Sequence, residues 1–221
     1  MRIANIADLH GAIVPVPDAD VLIVAGDVSH DMTDLIGFEY LIESYGRLPH
    51  RFKIMVAGNH DVILARLRRE ALDILCDNDF IYLEDDEVII NGVRIYGAPW
   101  TPVFGSYPFM LSAQKLKNKW AMIPDGIDIL VTHGAPYGIL DRNKDGFHIG
   151  DCDLGKRVRK IQPALHIFGH CHEGYGMVRD NGEGRMRQTT YVNVATFKDV
   201  LNNVDRPPVI LEYDHLTGEV R

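Results

Sequence analysis

Apolar residues in this chain gather into short runs, and five of those runs stop at a polar turn rich in Gly, Asp, Asn or His. The runs at 2–7, 21–25, 52–57, 127–132 and 164–168 have strand length. Helical spacing appears between them. Leu35, Phe38, Leu41, Ile42 and Tyr45 predict a helix over 33–48 that Pro49 stops, and further helices are expected over 62–75, 114–122 and 153–161. Asn91-Gly92 separates apolar runs at 88–90 and 93–96, a strong two-residue hairpin signal because both turn positions tolerate positive φ. Three later runs, at 175–179, 188–193 and 209–213, read as strands. The alternation predicts an α/β chain with two sheets and helices outside them.

The polar residues at the strand ends are the informative ones. They are Asp8 and His10, Asp27, Asn59 and His60, His133, and His170 and His172. Loops at the carboxyl ends of strands converge readily, so five loops carrying ligand-type side chains point to one shared site. With His60 set aside, the group offers four imidazoles, two carboxylates and an amide oxygen. That mixture suits Mn, Fe, Zn, Co or Ni rather than Ca, and it lacks the thiolates of a structural zinc site. Seven donors exceed one tetrahedral ion, whereas two ions sharing a carboxylate use them all. Asp8 and His10 alternate around Leu9, so an extended segment would point both to one side, and His170 and His172 repeat the device around Cys171. Gly26, Gly58, Gly134 and Gly169 stand where backbone must approach an ion or adopt unusual φ.

In this order, Asp8-x-His10, Gly26-Asp27, Gly58-Asn59-His60-Asp61, His133-Gly134 and Gly169-His170-x-His172 resemble the calcineurin-like metallophosphoesterases. The segments 96–100, 132–136 and 168–176, with Val192-Asn193 and Pro207-Pro208, narrow the resemblance to the MPPED branch of that superfamily. Some animal members of that branch carry Gly where this chain has His170, and often Glu where it has Asp61. The resemblance implies a two-sheet β-sandwich flanked by helices. It also implies that Asp8, His10 and His172 hold one divalent ion, that Asn59, His133 and His170 hold a second, and that Asp27 bridges both. Manganese is the metal expected first.

Composition adds boundaries. The chain has 221 residues, 46% of them hydrophobic and 24% charged, which is ordinary globular composition and fits a single domain over 1–221. The net charge of -8 argues against a protein that coats long nucleic acids. The basic clusters 66–69 and 156–160 read as solvated helix faces. Cys76, Cys152 and Cys171 form no CxxC pair, so a reducing cytoplasm is the expected compartment, and Cys171 is expected to be an inert buried thiol. No apolar stretch approaches the roughly 18 residues needed to cross a bilayer, and no signal-type region develops before Asp8. His30, His50, His148, His166 and His215 match no motif and are expected on the surface or in the core.

The expected chemistry is hydrolysis of a small phosphate ester by a metal-bridging hydroxide, with diesters favoured by the resemblance and cyclic or linear nucleotides as candidate substrates. His60 is implied to stabilise the transition state and protonate the leaving group, and Asp61 is expected to orient its ring. Trp100, after the Gly97-Ala98-Pro99 turn, and Asn193 are candidate substrate contacts, although Trp100, Phe109 and Tyr137 suit packing better. A phosphomonoesterase or protein phosphatase, a nuclease, and a non-catalytic scaffold are the alternatives. The last conflicts with the intact ligand set.

Overall fold

The computed structural model describes residues 1–180, 188–197 and 206–221. The first half of the chain forms β1 (Arg2–Ile6), β2 (Val21–Ala25), α1 (Leu35–Gly46), β3 (Phe52–Val56), α2 (Val62–Arg66), α3 (Arg68–Asp77) and β4 (Phe80–Tyr82). Then follow β5 (Asp86–Ile90), β6 (Val93–Ala98), β7 (Thr101–Pro102), β8 (Met110–Leu111), α4 (Ala113–Met122), β9 (Ile129–Thr132), α5 (Cys152–Ile161) and β10 (Leu165–Phe168). The end of the chain adds β11 (Gly176–Arg179), β12 (Thr190–Asn193), β13 (Val209–Asp214) and β14 (Glu219–Val220). One six-stranded sheet has the order β14-β13-β1-β2-β3-β4 and the other β11-β12-β10-β9-β6-β5.

Burial on both faces explains why the strand runs are apolar without alternation. Ile3, Ile23 and Val56 of the first sheet pack against Ile95, Val131 and Ile167 of the second, forming the core between the sheets. The intervening side chains Ile6, Leu22 and Met55 point the other way and pack with Phe38, Leu41 and Ile42 of α1. On the far side, Leu130, Phe168 and Tyr191 meet Leu116 and Trp120 of α4 and Leu154 and Val158 of α5. The result is two mixed sheets face to face with helices outside, as the alternation predicts.

Local details differ from the sequence reading. Helix α1 starts where the Asp34 carboxylate accepts the Gly37 N–H at 2.7 Å, and it ends at Gly46, before Pro49 can act. The helix expected over 62–75 is two, broken where Leu67 adopts φ -120° and ψ 49°. Leu67 packs against the core beneath the first sheet, so the break turns both short helices onto that core. Strand β4 is not anticipated, because three residues are too few to show a pattern. The 91–92 turn forms as expected, with φ of 51° at Asn91 and 84° at Gly92.

His166 is the core residue its apolar neighbours imply. Its ring lies 4.9 Å from that of Phe168 and 5.8 Å from that of Tyr191. The Thr132 hydroxyl donates to Gly134 O at 2.7 Å, so it accepts from His166 Nε2 at 2.9 Å, while His166 Nδ1 has no partner. Burial pushes this imidazole down to about 3. The folded form therefore binds fewer protons than the unfolded chain below the ordinary histidine range. The contribution is intact above pH ~6.5 and is lost as pH falls toward 3, at up to about 1.4 kcal/mol per unit. Urea midpoints for wild type and His166→Gln should converge as pH is lowered from 7 to 5. Parallel pH profiles would show that this ring carries no such penalty.

Candidate metal centre

Strands β1, β2 and β3 lie side by side and parallel in one sheet, and β9 and β10 do the same in the other. The sheets are stitched at this end by Ala7 N donating to Val194 O at 3.1 Å. All five loops therefore open toward one another. The loops are not extended, which corrects the alternation argument for Asp8 and His10. Asp8, His10, Asp27 and His170 all have positive φ, at 54°, 47°, 53° and 66°. The physical reason is a shared acceptor: the Leu9 and His10 N–H groups both donate to Asp27 O, at 2.8 and 3.1 Å, and pull the segment into a turn. Left-handed backbone at non-glycine residues costs on the order of 1 kcal/mol each and persists where surroundings over-determine it. Two glycines make room for the carboxylates, since a Cβ at Gly169 would collide with Asp8 Oδ2 and one at Gly58 with Asp27 Oδ1.

Among the described residues the side chains converge in three clusters, one of them His10, His30 and His60, and two that contain a carboxylate. Ligand atoms of Asp8, His10 and His172 lie within 4.8 Å of one another, as do those of Asp27, His133 and His170. In the first, His172 Nε2 is 3.4 Å from Asp8 Oδ1 and 3.3 Å from His10 Nε2. In the second, His133 Nε2 is 3.2 Å from both Asp27 Oδ2 and Asn59 Oδ1. His133 Nδ1 donates to Ala25 O at 2.9 Å, which leaves the Nε2 lone pair of the neutral ring facing two oxygen acceptors. Such a confrontation calls for a cation, and one proton can serve only one of the two oxygens. The donor set fits divalent ions: Asp8, His10 and His172 can hold one, and Asp27, Asn59, His133 and His170 a second.

Electrostatics agree. Burial opposes ionisation of Asp8, yet the hydrogen bond and charge of His172 hold it below the ordinary carboxylate range. Asp27 is likewise held low against its burial by His133. Burial pulls the His133 ring down, but Asp27 reverses this and raises it to about 9. His10 and His170 are pushed down to about 4, chiefly by burial, so both rings are neutral at neutral pH and each carries a lone pair. Two ionised, buried carboxylates surrounded by imidazoles form a cation site by charge as well as by geometry.

His60 stands beside this centre, with its backbone N–H donating to Asp27 Oδ1 at 2.7 Å. Its ring partner is not Asp61. His60 Nδ1 meets Asp31 Oδ1 at 2.9 Å, which leaves Nε2 free. The Asp61 carboxylate is fully buried and engaged elsewhere, accepting the N–H groups of Asp27, Ser29 and Gly58 at 2.8–2.9 Å and the Ser29 hydroxyl at 3.0 Å. Burial and the Asp27 charge push Asp61 up to about 6 against those donors. It ties the β2 and β3 loops together and does not contact the His60 ring, whose partner is Asp31. Asp61→Ala should cost about 3 kcal/mol by orphaning three buried N–H groups, read as a lower urea midpoint. Unchanged stability would remove this structural role.

Neither candidate substrate contact reaches the site. Trp100 donates from Nε1 to Asp85 Oδ1 at 2.7 Å, with Lys119 Nζ 4.3 Å from its ring, and it packs between the helical cores. Asn193 is fully buried and donates to Leu140 O at 3.0 Å and Cys171 O at 2.8 Å, bracing the loop that carries His170 and His172. Cys171 is buried as expected, which pushes its thiol up. His30, expected outside the site, lies within it: its Nδ1 is 3.1 Å from His10 Nδ1, and its ring stacks on His60 at 5.2 Å. Tyr107, Phe104 and Phe197 also join, with rings 4.9 Å from His60, 5.5 Å from His170 and 4.8 Å from His10 respectively. Only His30 and Asp31 had a signal available, their place just after Gly26-Asp27. Phe104 and Tyr107 arrive on a separate loop.

Beside the centre is a cavity of about 580 Å³ whose wall includes Asp27, Asn59, His60, His170 and His172. A second cavity, of about 490 Å³, lies behind Asp31 and Tyr107 and contains Arg66. The other basic residues of the two clusters are tied to acids or point outward: Arg68 pairs with Glu84, Lys156 with Asp153 and Arg157 with Asp125. Among the described residues no helix is long and apolar enough to cross a membrane.

The calcineurin-like phosphoesterase family matches residues 1–174. Human metallophosphoesterase domain-containing protein 1 is 35% identical over 244 aligned residues, covering 96% of this chain and 70% of that protein. UPF0046 protein K07C11.7 of Caenorhabditis elegans is 37% identical over 212, covering 88% of this chain and 69% of that protein. The crystal structure of TT1561 of Thermus thermophilus superposes with a TM-score of 0.62 over 100% of this chain and 96% of that one, and at 13% identity the likeness is one of fold. The chain belongs to the calcineurin-like phosphoesterases, in the branch of the metallophosphoesterase domain-containing proteins, and is a metal-dependent phosphoesterase.

Proposed function

We propose that this chain, as one domain, hydrolyses phosphodiester bonds of small substrates at a centre of two divalent ions, with Asp27 bridging them and His60 as the general acid. The observation that carries this reading is the placement of Asp27. This buried carboxylate clusters with His133 and His170, its charge acts on His10 of the Asp8–His10–His172 set, and it accepts the His60 backbone N–H. When bound, the two ions would neutralise the phosphoryl oxygens and acidify water. Manganese is the ion proposed first, with Fe, Zn, Co and Ni compatible with the same donors.

The chain's own residues supply the rest. Asp31 fixes the His60 ring through Nδ1, which leaves Nε2 to hand a proton to the departing oxygen. The β2 and β3 loops keep that ring in register with Asp27 through Asp61. Preference for diesters is supported by space near His60: it lines the cavity of about 580 Å³, its neighbours Asp31 and Tyr107 line a second of about 490 Å³, and a diester has two organic arms where a monoester has one. A nuclease reading is disfavoured by the net charge of -8. The test compares bis- and mono-p-nitrophenyl phosphate with Mn²⁺-loaded protein. A kcat/KM at least tenfold higher for the diester is expected, and the reverse preference would make the enzyme a monoesterase.

A further inference from the structure

We propose that Phe104 sets substrate choice by stacking a planar aromatic ring carried on the ester arm that is not cleaved. The inference rests on the phosphodiesterase reading above and narrows its substrate class.

The loop between β7 and β8 projects apolar side chains beside a polar centre. Thr101 pairs with Met110 and Pro102 with Leu111, and Thr101 N donates to Phe109 O at 3.0 Å, so the base of the loop is pinned. Beneath it, Phe109 is buried at φ 56°. At its tip, Phe104 is 62% exposed and Val103 58%. A phenyl ring left open to water at the mouth of a metal centre gains free energy from any apolar group laid on it.

Phe104 and Tyr107, the loop's aromatic residues other than Phe109, take different sides of the centre. Tyr107 lies against His60, with ring centroids 4.9 Å apart, whereas Phe104 lies against His170 at 5.5 Å, and the two aromatic rings are 6.0 Å apart. The departing oxygen must meet His60, so the leaving arm passes Tyr107. The retained arm then falls on the Phe104 side of the 580 Å³ cavity, which His60 also lines. Pro102, Val103 and Ile149 add apolar wall there, and the charged residues Lys144 and Glu173 have opposite signs. Such a lining selects a neutral, flat group over a second anionic one. Stacking on an aromatic side chain is worth about tenfold or more in binding.

Two diesters that share a leaving group isolate the effect: phenyl p-nitrophenyl phosphate and methyl p-nitrophenyl phosphate. The quantity read is the ratio of their kcat/KM values with Mn²⁺-loaded wild type, Phe104→Ala and Phe104→Trp. Intrinsic reactivity and the folded fraction cancel when ratios are compared between variants. Phe104→Ala should lower the phenyl-to-methyl ratio about tenfold, and Phe104→Trp should keep it. A ratio unchanged in Phe104→Ala, with turnover intact, overturns this inference and leaves the phosphodiesterase reading standing. No turnover of either diester by wild type overturns both.

Discussion

Asp27→Ala should lose both ions on dialysis and at least a thousandfold in kcat/KM. Asp27 faces His133 through Oδ2 and holds the His60 backbone through Oδ1, so it serves both the ligands and the loop beside them. Its removal takes away the charge that holds the His133 ring up against burial and the acceptor of the His60 backbone N–H. Metal assistance is worth several kcal/mol of transition-state charge stabilisation, and each 1.36 kcal/mol is about tenfold in rate. Metal content after dialysis separates this outcome from simple unfolding when circular dichroism is recorded alongside. A variant that keeps two tightly held ions and near-normal turnover would show that Asp27 is not the bridge.

His60→Ala carries the second largest effect, and it depends on the substrate. General-acid help is worth about 10²- to 10⁴-fold where the leaving oxygen is basic. Alkyl diesters should lose that much, whereas p-nitrophenyl diesters, whose leaving group departs without a proton, should lose about tenfold or less. Asp31→Asn should shift activity in the same substrate-dependent direction by a smaller amount, because Asp31 holds the ring at 2.9 Å without touching substrate. Equal losses on both substrate types would strip His60 of the acid role and leave it a positioning group.

The strands and the candidate ligands were legible in the sequence for a common reason. Sheets buried on both faces demand unbroken apolar runs, so the first polar residue after each run marks a strand end, and Asp8, Asp27, Asn59, His133 and His170 occupy those places. Contacts between loops were not legible. Asp61 adjoins His60 in sequence, but the turn gives its carboxylate to three N–H groups and leaves the ring to Asp31, which lies 29 residues away. His30 looked ordinary because its meaning depends on how the β2 loop folds over β1. Trp100 follows a turn close to the site in sequence, yet its indole N–H found Asp85 and turned the ring into the core. The left-handed turns at Asp8 and His10 also escaped, since period-two reasoning assumes extended backbone.

The most direct measurement is hydrolysis of bis-p-nitrophenyl phosphate by metal-stripped protein during stepwise addition of Mn²⁺. No turnover before metal, and a rate that climbs until two equivalents per chain are bound, is the expected result. Two bound ions with no turnover, for Mn and equally for Fe, Zn, Co and Ni, would contradict a hydrolytic dinuclear centre and bring the scaffold reading to the front.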